Sequence, residues 1–514
     1  MKKLILLFIL SSFGVYSYGS FSSIDYSGGN PETNNVLEKV SKVDKKYNFI
    51  IPDSLVRTIV LEINKAVFPS NVNPKDYLSP DTKWGGIHSD NEEIIALAKE
   101  ITSEYSNDYD KVKAIHDWVA TNIYYDYDVY YAKSGYITGS IDVLHNKKTV
   151  CSGYANLVAA LLRSIGIPCR VVSGLGLGVG TSGKWDFQNF EEATNHAWNE
   201  IYVSGKWIIM DATWDSDMNY QNGEFRRGRG LRGHTYFAPT IEDFSFDHRL
   251  EPNNDDERKK VKSIREDYIW RYIKYENTWD GYQFYMERYP SGRYFAECKI
   301  AAEDYLWVVA ATKNTIEDYE KYEREYPSGR YISQCKANKH TVEARNSWNQ
   351  IRGTDNKNAI INFLAKYNDC FQAEEAKQQL SVLYEKDGDK SMQNFQYETA
   401  LSCYDNAIKY YNTAMLANKR ADANSEKLFL KFIANANIEN GEAYMKECRM
   451  GKYFLYVYEK LYLMYYNEAE IAYKAKNYSV AKQYYEKVTE RKRNEKYDNI
   501  TKQAKKKLKK IEKI

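Results

Sequence analysis

Net charge is all but missing: 72 Lys and Arg face 70 Asp and Glu, leaving +2 over 514 residues. No overall field therefore draws the chain to nucleic acid or to an anionic membrane. Proline is scarce, 10 residues against 47 tyrosines, so packing leans on aromatic residues within helices. No C-x-x-C pair occurs, and no spacing fits a structural zinc site. Nothing in the sequence calls for a metal or a cofactor. The apolar run at residues 4–10 is too short to span a bilayer, and no other stretch is apolar and long enough to do so.

That short apolar run follows Lys2 and Lys3 and precedes the small residues Ser17 and Gly19, which reads as a secretory signal over residues 1–19. No cysteine stands near the cleavage point, so a lipid-anchored lipoprotein is not indicated. The expected mature protein is exported, periplasmic or secreted, with no transmembrane segment after signal removal. Its length predicts two or three domains. Residues 20–36, rich in Ser, Gly, Asn and Pro, form a flexible lead-in. Residues 37–107 mix an apolar stretch at 49–68 with loop signals at 69–80 and Trp84-Gly85-Gly86, then a helix over 91–105; they read as an N-terminal lobe.

The chemistry concentrates in residues 149–211. Within 150–165, Ala155, Val158, Leu162 and Ile165 recur at helical spacing, and Gly166-Ile167-Pro168 ends the helix. Cys151 then falls at the first turn, where unpaired N–H groups and the helix dipole favour a thiolate and lower its pKa below the free value of about 8.5. β-rich runs at 195–203 and 206–213 flank Ser204-Gly205, a two-residue hairpin. Pairing Val203 with Lys206 sets Asp211 opposite Trp198 and His196 opposite Thr213. His196 and Asp211 become diagonal neighbours on one face, roughly 7–8 Å apart. A three-residue loop would turn Asp211 to the other face. Taken singly, Cys151 suits a buried helix start and His196 an ordinary core position. Together the thiol, imidazole and carboxylate are the material of a nucleophilic triad.

Four motifs occur in order: Cys151-Ser152-Gly153-Tyr154-Ala155, Gly166-Ile167-Pro168-Cys169-Arg170, Asn195-His196-Ala197-Trp198-Asn199-Glu200 and Asp211-Ala212-Thr213-Trp214. With DYDKVKAIHDWVATNIYYDYD at 108–128, Tyr236-Phe237 and residues 244–248, they resemble the transglutaminase-like superfamily, specifically its microbial transglutaminase and cysteine peptidase homologues. The resemblance covers roughly residues 91–252. It implies an α+β, papain-like fold with a nucleophile helix packed on an antiparallel sheet, in which Cys151 is nucleophile, His196 general base and Asp211 the orienting carboxylate. The related peptide N-glycanases usually carry paired C-x-x-C metal motifs, so this branch is disfavoured. Residues 37–255 are then the transglutaminase-like catalytic domain with its N-terminal lobe.

Two glycine-rich stretches invite other readings. Gly174, Gly176, Gly178 and Gly180 form a run with no helix behind it, so a phosphate cradle is disfavoured. A mobile loop after a strand at 169–173 is expected, with a substrate-gating role open. Residues 226–232 (RRGRGLR) read as a basic loop, either solvated surface or a contact for acidic or polar substrate.

From residue 256 to 514 glycine thins out and a repeat emerges. Tyr289-Pro290-Ser291-Gly292-Arg293-Tyr294 recurs as Tyr326-Pro327-Ser328-Gly329-Arg330-Tyr331, Trp270 as Trp307 and Cys298 as Cys335, each shifted by 37. A weaker copy shifted by 41 holds Trp348, Tyr367 and Ala376. Such a period predicts stacked helix pairs, and the segments at 395–410 and 466–488 resemble tetratricopeptide helices. An all-α helical-repeat solenoid is expected over 256–514, with a protein partner on its surface. Cys298 and Cys335 align with Ala376, which favours buried free thiols over a bridge; the state of Cys370, Cys403 and Cys448 stays open. Residues 491–514 carry eleven Lys or Arg against three acids. Ile500, Ala504, Leu508 and Ile511 form an apolar stripe, and a terminal capping helix is the favoured reading.

The expected function is an exported thiol enzyme. Cys151 attacks a protein or peptide amide through an acyl-enzyme, with its backbone N–H in the oxyanion hole and a second donor among Trp118, Asn156 and Asn195. Hydrolysis is favoured over transglutaminase cross-linking. The alternative is a non-catalytic binding scaffold whose repeats carry the function.

Overall fold

The structure is a computed structural model that describes residues 47–69, 72–82, 86–178, 181–191, 193–490 and 498–513. The expected signal at 1–19 and lead-in at 20–36, together with Trp84-Gly85, Gly180 and tail residues 491–497 and 514, lie outside the described residues. The chain divides into two compact units, Met1–Tyr305 and Leu306–Ile514.

In the first unit the apolar stretch at 49–68 folds as helix α1, Asp53–Val67, which buries Val56, Ile59, Val60 and Ile63 along one face. Helix α2, Glu92–Thr102, starts where the Asn91 side chain accepts from the N–H groups of Glu93 and Ile94, which satisfies first-turn donors left without intrahelical partners. Asn107 caps helix α3, Asp108–Asn122, in the same way. Its buried Val112, Ile115, His116 and Val119 recur at helical spacing. Helix α4, Cys151–Ser164, is buried almost all round, from Gly153 to Arg163. It stops before Gly166, whose φ of 81° only glycine adopts cheaply.

Among the described residues, eight strands form two sheets. Strands β3 (Cys169–Gly176), β4 (His196–Val203), β5 (Lys206–Met210) and β8 (His248–Leu250) build an antiparallel sheet in the order β5-β4-β3-β8. Strands β1 (Tyr124–Asp126), β2 (Lys148–Thr149), β6 (Ser216–Gln221) and β7 (Glu224–Leu231) build a second sheet, order β2-β1-β6-β7, in which β1 runs parallel to both neighbours. The expected α+β core, a nucleophile helix on an antiparallel sheet, is present. One core joins Leu157, Val158, Leu161 and Leu162 of α4 to Ile94, Val112, Val119, Ile201 and Met210. A second core joins Val56, Ile59 and Ile63 of α1 to Trp198, Leu250, Ile269 and Trp270. Buried Asn64 of α1 is fully used: it donates to Ser245 Oγ and His248 O, both at 2.8 Å, and accepts from Leu250 N–H at 2.7 Å. It thereby fixes β8.

Two loop expectations are corrected. The glycine run is half strand, since β3 continues through Gly176 and Gly174 pairs with His196. A side chain at Gly174 would run into the Trp198 ring and the Arg249 carbonyl. Residues 226–231 are also strand, paired with β6; arginine and glycine dilute the β pattern there.

Helical structure takes over at Asp255–Glu276, Trp279–Arg288 and Phe295–Lys313. The second unit continues with Ile316–Glu325, Ile332–Ile351, Lys357–Tyr367, Gln372–Gln393, Tyr397–Tyr410, Ala414–Ala434, Ile438–Glu447, Phe454–Lys474 and Tyr478–Glu490, ending in Asp498–Ile511. From Ile316–Glu325 onward consecutive helices pack on one another, and Ala504 and Ile511 bury the terminal stripe. The repeated turn has a physical basis. Tyr285 OH accepts from Tyr294 N–H at 3.1 Å, and Tyr322 OH from Tyr331 N–H at 3.0 Å. Tyr294 stacks on Trp270 and Tyr331 on Trp307, at 5.7 and 5.1 Å between centroids. A further copy was not anticipated: Tyr444 OH accepts from Tyr453 N–H at 3.1 Å, and Tyr453 stacks on Phe429 at 3.7 Å. Its sequence signal is Gly451-Lys452-Tyr453, with Lys in place of Arg. Cys298 and Cys335 are buried free thiols, each directed at a carbonyl, Tyr282 O at 3.5 Å and Tyr319 O at 3.4 Å. Cys370, Cys403 and Cys448 are free as well.

Candidate active site

Cys151 is the first residue of α4, half-buried, and the Val150 side chain before it supplies no cap. Its N–H therefore belongs to the first-turn donors that have no intrahelical partner. The hairpin that carries the other two groups turns at Ser204 and Gly205, with φ of 53° and 81°. Two successive positive φ values are what a type I′ turn requires. The ladder runs from Val203↔Lys206 to Asn199↔Met210, the register expected for a two-residue loop.

The strand ends earlier than the expected residue 213. Asp211 leaves β5 and caps a one-turn helix α5, Ala212–Asp215. This divides the labour of its carboxylate. Oδ1 accepts from Thr213 and Trp214 N–H at 2.9 and 3.3 Å, while Oδ2 meets His196 Nε2 at 2.5 Å. Nδ1 is the ring nitrogen that Asp211 leaves over, and Cys151 is near enough to help push the imidazole up. The three residues singled out from sequence are thus brought together. Burial works against a charged His196, yet the Asp211 carboxylate outweighs it and the imidazole is pushed up to about 10. Burial also works against a charged Asp211; the His196 imidazolium overrides it and holds the carboxyl well below the usual carboxylate range.

His248 is a residue that sequence reasoning passed over. It is fully buried, stacked on Phe244 at 4.2 Å and tilted against Trp214 at 4.3 Å. Its Nδ1 lies 2.6 Å from Asp247 Oδ1 and its Nε2 lies 3.4 Å from Asp211 Oδ2. The latter geometry makes no hydrogen bond. Asp211 thus faces two imidazoles. His196 is itself wedged, with Trp198, Trp214 and His248 rings at 5.8, 5.4 and 5.4 Å.

Asn195 and Asn156 each commit one amide N–H to a backbone carbonyl. Asn195 Nδ2 donates to Gly176 O at 3.0 Å, and Asn156 Nδ2 to Thr138 O at 2.9 Å. Trp118 lies under Lys147 Nζ, 5.1 Å from the ring centre. On the other side of the thiol, Tyr125, Tyr127, Tyr130 and Tyr131 interlock at 5.0–6.4 Å. Burial pushes the Tyr125 and Tyr130 phenols up, with Cys151 the next cause for Tyr125 and Tyr131 the next for Tyr130. A cleft of about 1400 Å³ walled by Phe49, Phe187, Phe284, Arg265 and Arg288 includes none of the three residues. Side-chain chemistry, not volume, locates this site.

Residues 95–212 match the family model of the transglutaminase-like superfamily. The kyphoscoliosis peptidases of Mus musculus and Homo sapiens are each 33% identical over 122 residues, 24% of this chain. The chain spans 18% of the length of these curated relatives. A solved structure of a candidate cysteine protease from Cytophaga hutchinsonii is 28% identical, with a TM-score of 0.22, covering 28% of this chain and 43% of the other. The chain carries, at residues 95–212, a transglutaminase-like superfamily domain.

Proposed function

We propose that the protein is an exported thiol enzyme that cleaves protein or peptide amide bonds through an acyl-enzyme. The observation that carries this reading is the 2.5 Å contact of His196 Nε2 with Asp211, with Cys151 at the start of the helix among the groups that push the same imidazole up. With the transferable proton already on His196, Cys151 Sγ adds to the carbonyl carbon as the anion of that pair. His196 returns the proton to the nitrogen as the C–N bond breaks, leaving a thioester on Sγ. Water then enters by the reverse proton path, releases the acid and restores the pair. Hydrolysis is favoured over cross-linking because it needs only an open site, whereas an amine acceptor needs a second, water-poor one. The peptidase name of the mammalian relatives supports amide-bond chemistry. Export rests on the leader at residues 1–19; among the described residues no helix is long and apolar enough to cross a membrane. The tetratricopeptide-like helix pairs are assigned a protein partner.

Iodoacetamide labelling of the purified chain, read by mass spectrometry, tests the proposal. Burial pushes all six other thiols up: Cys169 and Cys298 to about 12, Cys335 to about 11, and Cys370, Cys403 and Cys448 less far. Expected is labelling at Cys151 first, lost in His196→Ala, together with amine release from glutaminyl or peptide substrates. If Cys151 reacts no faster than Cys370 and no acyl-enzyme forms, the catalytic reading fails and a binding scaffold takes its place.

A further inference from the structure

A second group of titratable side chains sits one helical turn from Asp211. Asp215 closes α5; it is buried, accepts from Tyr236 N–H at 3.0 Å and meets His116 Nε2 at 3.1 Å. His116 is fully buried, and its Nδ1 lies 2.9 Å from Asp117 Oδ1. That same oxygen lies 2.7 Å from His234 Nε2, while Lys113 occupies the other Asp117 oxygen at 2.8 Å. His116 Nδ1, Asp117 Oδ1 and His234 Nε2 all lie within 4.8 Å of one another. The Asp117 and His234 side chains are 33% and 37% exposed, so solvent reaches the point on which the three atoms converge.

We propose that His116, Asp117 and His234 form a binding site for a divalent transition metal of the zinc class, with solvent as fourth ligand. Two imidazoles and one carboxylate suit such an ion. With metal–nitrogen bonds of about 2.1 Å, two imidazoles on a tetrahedral ion have ring centres about 5.2 Å apart; His116 and His234 stand 5.6 Å apart. Tetrahedral ligand atoms lie about 3.3 Å apart, against the 2.9 and 2.7 Å found here. Entry of the ion widens the group by about half an ångström, which the partly exposed Asp117 and His234 can supply. Asp215 is the outer carboxylate that orients a metal-bound imidazole through its second nitrogen. On binding, the proton between His116 Nδ1 and Asp117 leaves to solvent, and His234 keeps its own on Nδ1. Because Asp215 and Asp211 share one turn, linked by Asp215 N–H to Asp211 O at 3.4 Å, an ion here would brace the segment behind the thiol site without touching it.

The test is calorimetric titration of Zn²⁺ into the full chain after accessible thiols have been blocked with iodoacetamide, with Co²⁺ absorption as a second readout. Expected is one saturable equivalent, abolished by His234→Ala, weakened about 10-fold or more by Asp215→Asn, and unchanged by His340→Ala, which alters the exposed His340, Asp369 and Cys370 group. Circular dichroism checks folding of each variant; should Asp215→Asn fail to fold, His234→Ala and Asp117→Asn carry the test. Absence of saturable binding, or binding that survives His234→Ala, overturns the proposal and leaves a hydrogen-bonded cluster.

Discussion

Gly176→Ala separates the geometry of the thiol site from the stability of the fold. A Cβ at residue 176 would stand 3.1 Å from Trp214 Cζ2 and 3.3 Å from both Cβ and Cδ2 of His196. Cδ2 is bonded to Nε2, the atom held 2.5 Å from Asp211. Relief needs His196 to give by about 0.3 Å, and three aromatic rings and the Asp211 bond oppose it. One extra methyl in a packed site costs about 1 kcal/mol, the low end of overpacking. Restricting the unfolded chain at a former glycine returns roughly 0.5–1 kcal/mol. The two nearly cancel, so Tm should move by no more than about 4 °C. Reactivity should not cancel, because a displacement of a few tenths of an ångström in a proton-transfer pair costs on the order of threefold to tenfold. The assay is the iodoacetamide rate at Cys151 beside thermal unfolding followed by tryptophan fluorescence. Gly178→Ala, whose Cβ meets Trp214 at 3.3 Å but not His196, and Gly233→Ala, whose Cβ meets nothing, are the controls. A Gly176→Ala rate equal to that of Gly233→Ala refutes the argument that His196 is wedged.

Asp211→Asn keeps an oxygen for capping but removes the charge on His196; Cys151 alkylation should fall by about 10²–10⁴, and stability by about 3 kcal/mol in denaturant titration, since a buried pair is broken. His196 is raised to about 10, so the stability it contributes is complete below its unfolded value of about 6.5 and disappears as pH rises toward 10. Calorimetry should show a steeper alkaline fall of Tm in the wild type than in His196→Asn. Tyr322→Phe removes the acceptor of Tyr331 N–H at 3.0 Å and should cost about 1–2 kcal/mol, read as a lower urea midpoint. The Tyr444→Phe change should do the same, because Tyr453 N–H loses an equivalent partner.

Local patterns were readable where turn chemistry or helix punctuation decides them. Ser204-Gly205 sets strand parity and so brings His196 and Asp211 to one side; Gly166 ends the helix that Cys151 begins. What escaped depends on distant contacts. Nothing near Met210 announces the end of β5, because the capping of Thr213 and Trp214 by Asp211 competes with the ladder only once His196 holds the other oxygen. Strands β1 and β2 have three and two residues, too few to show a period, so the second sheet was missed. His248 gains its place through Asn64, 184 residues away. His234 meets Asp117 across 117 positions, and no local motif marks His234.

The turn shared by Tyr285, Tyr322 and Tyr444 has an evolutionary consequence. Each of these bonds reaches only nine residues forward, to the residue just before the following helix, so every joint is written in nearby sequence. A block excised within the second unit between two such tyrosines, Tyr322 and Tyr444, leaves ends that carry the same turn. Duplication inserts a block on the same terms. The length of this half of the chain is therefore free to drift by whole blocks while the thiol domain stays as it is.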